Sequence, residues 1–301
     1  MATSMKHAIL GAGGVGGLIG ACLVKSGASV TMVVRPESLA SYPTQLQLES
    51  PFGNFSAPVA RAAEVPPADV LWIAVKATQL EAALASFTKP DSVSAIVPLL
   101  NGIDHLARLR ARYGVARVIA ATIAVETERV APGHIVHRSP FANLNMSSAG
   151  RVLLGPTLDD LQRIGFTCRF IDHEPTLMWS KLVFLAAFAL STTASGKTTG
   201  EILADPTWRE LGLSCIREAS AVANAEGAKI DADAVIAAVM KMPGNMRSSM
   251  QKDVEQGKTP ELDAIAGPIL RGAARHGIDV PATKKLVAAV EQRSGYSPSL
   301  L

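Results

Sequence analysis

Ala8–Gly20 reads AILGAGGVGGLIG, a short apolar run that meets Gly11, Gly13 and Gly16 and passes without a break into helix-compatible sequence. This is the pattern of a dinucleotide-binding turn. Gly11 allows the tight turn, Gly13 lets the backbone approach a pyrophosphate, and Gly16 permits close helix–strand packing. The phosphates then meet the partial positive charge of a helix N-terminus. The β-type segment Lys6–Leu10 precedes the turn and a second one, Ser29–Val34, follows its helix, which is the context the motif requires. Gly11, Ala12, Gly13, Gly14, Val15 and Gly16 are therefore expected to line a cofactor; the bland alternative is a glycine-rich turn with no ligand.

Outward from that turn, strand-like and helix-like stretches alternate: Val15–Ser26, Ser29–Val34, Val70–Val75, Gln79–Phe87, Ser94–Leu99, Ile103–Arg112 and Val118–Val125. Such a rhythm predicts an α/β fold with a Rossmann-type doubly wound parallel sheet. Gln45–Ala60 alternates apolar and polar residues around PFGN, as a hairpin does. Gly133–His137 and Arg151–Leu154 read as strands that extend the sheet. From about Glu174 onward nearly every long segment is compatible with helix, broken where Gly and Pro cluster: Ser195–Gly200, Asp205–Pro206, Gly227, Pro243–Asn245, Gly257–Pro260 and Gly277–Pro281. The expected organisation is a cofactor-binding domain over 1–172 and an all-helical domain for substrate and dimerisation over 173–301, with the active site in the cleft they form.

With 301 residues, 48% of them hydrophobic and 18% charged, the chain can bury sizeable cores, which excludes disorder as its dominant state. Its 29 basic and 26 acidic residues balance to +3 and form no Lys/Arg block, so no nucleic-acid partner is indicated. Cys22, Cys168 and Cys215 are scattered and lack metal-ligand spacing; they read as buried thiols in a reducing compartment, with no metal. The N-terminus carries no long apolar segment, and the longest apolar run, Leu182–Leu190, is too short to span a bilayer. The expectation is a cytoplasmic protein with no membrane partner. Glu210–Ala225 reads as either core or the face of a possible homodimer.

Five side chains stand out chemically. Arg35 ends the second strand, where a guanidinium suits a 2′-phosphate; if Glu37 occupies that place instead, a free ribose is preferred. Lys76 and Asn101 each follow an apolar strand, the position from which a parallel sheet delivers side chains to a ligand, although a solvated lysine and a turn asparagine would look the same. Lys181 is the only charge in TLMWSKLVFLAAFAL; it is either a snorkelling lysine or an ammonium whose pKa burial brings into range for a general acid. Glu261, just after Pro260, either serves a helix dipole or turns toward Lys181 or a cofactor.

Taken together these residues resemble the ketopantoate reductase (2-dehydropantoate 2-reductase) family nearly end to end. The carriers are GAGGVG, VVRPE, VKATQ, LLNG, VAPGHIVH, MWSKL, GEI at Gly200–Ile202, and SSMQKDVEQGKTPELDAIAG. The resemblance implies NADP(H) as cofactor and reduction of ketopantoate to pantoate, a step of pantothenate biosynthesis. It also implies Lys181 as proton donor, Lys76 and Arg35 on the cofactor phosphate, Asn101 and Glu261 holding cofactor near substrate, and Ser249 on the substrate carboxylate. The chain departs from the family at four asparagine positions, here Leu185, Ala189, Thr199 and Ala266. Leu185, Ala189 and Thr199 would then line a pocket for a less polar 2-oxo acid. An NADP(H)-binding sensor without turnover is the alternative outside enzymology.

Overall fold

The computed structural model describes residues 5–298. The chain divides into two compact units at Asp172/His173, with the short segment Asn101–Asp104 grouping with the second.

The first unit holds twelve strands: β1 (Lys6–Leu10), β2 (Ser29–Val33), β3 (Gln45–Glu49), β4 (Phe55–Pro58), β5 (Ala60–Ala62), β6 (Ala68–Ile73), β7 (Val93–Pro98), β8 (Ala121–Ala124), β9 (Thr127–Ala131), β10 (His134–His137), β11 (Asn143–Ser147) and β12 (Thr167–Ile171). Five of them form a parallel sheet in the order β5-β2-β1-β6-β7. β1, β6 and β7 are almost wholly buried, as their unbroken apolar runs require in a sheet covered on both faces. Leu10 stands opposite both Val33 and Ile73, and Ile73 opposite Pro98, so these strands end level. The residues that follow β1, β2 and β6, including Gly11, Arg35 and Lys76, therefore emerge along one edge.

Two smaller sheets depart from the sequence reading. Gly133–His137 does not extend the main sheet: β10 pairs with β3 and β9 in a four-stranded sheet, order β4-β3-β10-β9. Its alternating burial suits a sheet with one wet face, which the doubly covered parallel sheet lacks. The hairpin around PFGN forms as expected, β3 against β4. Arg151–Leu154 is not a strand but the start of a helix, Arg151–Ile164, in which Leu154, Leu158 and Leu161 recur at helical spacing and are buried, while Val152 is left exposed. The third sheet, β12-β11-β8, contains two strands whose polar sequences gave little strand signal; Val118 ties it to the main sheet through a single parallel bridge to Ile96.

In chain order the unit's helices are α1 (Gly14–Lys25), α2 (Leu80–Leu84), α3 (His105–Tyr113) and α4 (Arg151–Ile164); the second unit supplies α5 (Glu174–Ser195), α6 (Thr199–Ala204), α7 (Pro206–Ala225), α8 (Ala232–Val239), α9 (Ser249–Glu255), α10 (Leu262–His276) and α11 (Pro281–Ser294). The Gly/Pro clusters fall between helices, with Gly196 and Gly277 ending α5 and α10 in the left-handed conformation and Asp205 capping α7. The second core is formed by Val183, Ala186 and Leu190 of α5 with Ile216 of α7, Ile269 of α10 and Leu286 of α11. α7 thus turns its apolar face inward. α5 is apolar all round because it is central. Its 22 residues make it, by length and composition, the one helix among those described that could cross a membrane, yet 67% of its most apolar window is buried, as in a core helix.

In the first core His7 lies on β1 beside Trp72, whose Nε1 donates to His7 Nδ1 at 3.1 Å. Burial lowers the His7 pKa from 6.5 to about 4, against a weaker upward pull from Asp69 and Asp160. Between these values the unfolded chain takes up the proton that the folded chain refuses, so stability falls as pH drops from 6.5 toward 4, by up to about 3 kcal/mol from this group. Urea midpoints measured across that range should drop more steeply for the natural chain than for His7→Gln; parallel curves would remove His7 as the cause.

Candidate active site

The phosphate turn has the geometry its glycines suggest. Gly11 takes φ +111°, and a Cβ there would lie 2.7 Å from the Ala74 backbone; one on Gly16 would lie 2.0 Å from Gly11 O. Gly13 differs from both, because its Cβ direction meets nothing within 4 Å. It caps α1 without any side-chain hydrogen bond and with no acid in the first turn, so the first N–H groups of α1, at the positive end of the helix, are left to a ligand. A dinucleotide pyrophosphate fits this cradle. Ala12 and Val15 flank it half-buried.

Arg35 and Glu37 stand side by side, Arg35 Nε 3.4 Å from Glu37 Oε1, both side chains largely exposed beyond the end of β2. Lys76 sits in extended conformation just before a single helical turn, Ala77–Gln79, half-buried at the end of β6.

In the second unit three of the singled-out residues, separated by up to 160 positions, join in one hydrogen-bonded chain. Lys181 Nζ donates to Asn101 Oδ1 at 3.1 Å, and Asn101 Nδ2 donates to Glu261 Oε2 at 3.0 Å. Burial lowers the Lys181 pKa to about 8, and the Glu261 carboxylate opposes that fall. A lysine so placed is charged at neutral pH yet gives up its proton far more readily than one in water, which is what a general acid needs.

What holds Asn101 there is α10. Gly102 takes φ +82°, and a Cβ on it would stand 2.3 Å from Ala264 O, so only glycine lets the segment lie on the first turn of α10. Arg271 then bridges the two parts, bonding Asp104 of the segment and Asp263 of the helix. Gly267 leaves the space the guanidinium crosses to reach Asp263. Glu261 itself is the residue before α10, 7% exposed. Asp104 and Arg271 were not singled out in the sequence; a lone arginine within the apolar run PILRGAA was the available signal.

The residues read as substrate-lining fare unequally. Leu185, one turn beyond Lys181, keeps exposed surface, while Ala189 is 1% exposed within the helical core and Ala266 is fully buried on α10. Thr199 is drawn away from a ligand role: its hydroxyl donates to Pro243 O and accepts from Met246 N, pinning the loop before α9. Ser249 is exposed at the first position of α9, whereas its neighbour Ser248 is the buried cap, its Oγ 2.7 Å from Thr192 Oγ1 and accepting from Gln251 N. Thr192 in turn donates to Phe188 O.

The sequence matches the family described as Ketopantoate reductase PanE/ApbA over residues 7–150 and its C-terminal part over residues 176–294. An uncharacterised oxidoreductase of Bacillus subtilis is 30% identical over 95% of this chain and 98% of its own length. A 2-dehydropantoate 2-reductase of Caulobacter vibrioides is 30% identical over 93% of this chain and 96% of its own. Among solved structures, D-mandelate dehydrogenase with NADH and anilino(oxo)acetate superposes with a TM-score of 0.84 at 22% identity, covering 97% of this chain and 99% of that one.

The seating of Asn101 on α10 is open to a direct test. Gly102→Ala combines a forbidden φ with a backbone clash and should destabilise the protein by about 2–3 kcal/mol. Chemical denaturation checks this; a loss under about 0.5 kcal/mol, the range of ordinary surface changes, would mean that the close approach to Ala264 is absent.

Proposed function

Since this chain belongs to the ketopantoate reductase PanE/ApbA family and is a nicotinamide-dependent oxidoreductase of the CH–OH group, we propose that it uses NADPH to reduce a 2-oxo acid with an apolar side chain. NADP is the norm of the family. On this reading the first unit is the NADP-binding domain, with the Gly11–Gly16 turn and Lys76 on phosphates and Arg35 offering its fork to the 2′-phosphate. The second unit carries the acid. The chain's three buried thiols outside any disulfide, Cys22 and Cys168 in the first unit and Cys215 in the second, suit a reducing compartment, and we assign the protein to the cytoplasm.

A bound nicotinamide supplies the hydride to the carbonyl carbon. Lys181 transfers a proton from Nζ to the carbonyl oxygen as negative charge builds there, leaving a 2-hydroxy acid and a neutral amine. Asn101 fixes the direction of the ammonium by accepting one of its N–H bonds, and Glu261 keeps the group protonated at rest. The exposed hydroxyl of Ser249 donates to the substrate carboxylate.

The substrate class rests on one observation, the apolar wall beyond Lys181. Leu185 stands there with Phe184 and Phe188 on the adjoining faces of α5, and the nearby hydroxyls of Thr192 and Thr199 already donate to carbonyl oxygens of the chain itself. The hydroxyl of ketopantoate would lose water against this wall, at about 1–3 kcal/mol, without gaining a partner, while an aliphatic or aryl group gains buried area. The same fold does carry D-mandelate dehydrogenase in another protein. We therefore expect kcat/KM with NADPH to be at least about tenfold higher for 2-oxoisovalerate or phenylglyoxylate than for ketopantoate, and Leu185→Asn to narrow that gap. A natural chain that prefers ketopantoate, with no change of preference in Leu185→Asn, would overturn the substrate class; no turnover of any 2-oxo acid would favour a sensor.

A further inference from the structure

The turn AILGAGGVGGLIG has more glycine than dinucleotide binding asks for, and the surplus has a place in the fold. Gly14 and Gly17 lie outside the GxGxxG positions. A Cβ on Gly14 would meet Thr127 O at 2.8 Å, and one on Gly17 would meet the Ile135 side chain at 2.4 Å. Both neighbours belong to the second sheet, Thr127 on β9 and Ile135 on β10, which pair antiparallel. The two extra glycines thus let that sheet close onto the first turn of α1, at the spot where the phosphates of a dinucleotide are expected. Thr127 Oγ1 lies 3.4 Å from Gly14 O.

Two residues along β9 on the same face comes Arg129, an exposed side chain whose Nη1 reaches Ala12 O in the middle of the phosphate turn at 3.5 Å. That contact is long, at the edge of what counts as a hydrogen bond, so it places the guanidinium beside the turn with its donors still available to a ligand. No carboxylate among the described residues forms an ion pair with it. The contrast with its neighbours is direct: Arg35 is paired with Glu37, and Arg138 with Glu128. A pyrophosphate in the Gly13 opening would bring two negative charges beside an unneutralised guanidinium whose planar fork matches phosphate oxygens.

We propose that Arg129 is a pyrophosphate-binding residue, positioned by Gly14 and Gly17, and that it contributes affinity for NADPH and NADH alike. The proposal rests on the reading of Gly11–Gly16 as a dinucleotide turn. It separates two cationic roles: Arg129 serves the part of the cofactor that both nucleotides share, and Arg35 the 2′-phosphate that only NADPH carries.

The test measures dissociation constants for NADPH and NADH by nicotinamide fluorescence, without substrate, on the full chain and on Arg129→Gln, Arg129→Lys, Arg35→Ala and Arg138→Gln. Arg129→Gln should weaken both nucleotides by a similar factor, about ten- to a hundredfold, as loss of a charge-assisted contact does. Arg129→Lys should recover part of the loss, Arg35→Ala should weaken NADPH alone, and Arg138→Gln should change neither. Unchanged affinities in Arg129→Gln would overturn the proposal, as would a loss confined to NADPH, which would move Arg129 to the 2′-phosphate. A natural chain that binds neither nucleotide would overturn both this proposal and the dinucleotide reading beneath it; binding by the natural chain with no effect of Arg129→Gln overturns only the proposal.

Discussion

An ammonium taken out of water needs an acceptor for its N–H bonds and a negative charge near enough to offset lost hydration, and Lys181 finds both through one asparagine. Asn101 accepts from Lys181 and donates to Glu261, so a carboxamide links the acid to its counter-charge. Remove the asparagine and the lysine keeps its burial but loses its fixed direction. Because Asn101 belongs to a four-residue segment held to α10 by Gly102 and by the Arg271 bridge, the chemistry of one side chain depends on the backbone packing of the next residue.

Glycine serves the two functional regions in opposite ways. At Gly13 the missing side chain leaves an opening in front of helical N–H groups, a place for a ligand. At Gly14, Gly17 and Gly102 it removes an obstacle, so that a strand, a side chain or a helix turn can come closer than any Cβ allows. The first kind of glycine follows the spacing of a known motif. The second kind depends on which distant segment packs there, and spacing alone does not reveal it.

This difference accounts for what could be read in advance. The parallel sheet and the helical second half were legible because continuous apolar runs and Gly/Pro breaks are local signals. Lys181 was legible as the lone charge inside an apolar stretch, Asn101 as a polar residue at the end of one, and Glu261 as a carboxylate that could turn toward Lys181, although the link through Asn101 was not. HIVH is a strand as read but in another sheet, and RVLL is helix rather than strand, because a short apolar run does not say whether its partner is a covered sheet, an open one or the next turn of a helix. Thr199 and Ala189 drew attention because the family resemblance leads one to expect asparagine there, yet the structure commits the Thr199 hydroxyl to a loop and closes Ala189 in the core. In the pair of serines at the start of α9, the buried cap is distinguishable from its exposed neighbour only once the helix start is known.

The pH dependence of kcat/KM for 2-oxo acid reduction with NADPH tests the central claim most directly, since it reports groups that ionise in the free enzyme. The ammonium is the reactive form and its pKa lies at about 8, so the rate should fall as pH rises through about 8, and that limb should vanish from the residual activity of Lys181→Ala. A rate that stays level past pH 9, or an alkaline limb unchanged in Lys181→Ala, would contradict the assignment of Lys181 as the proton donor.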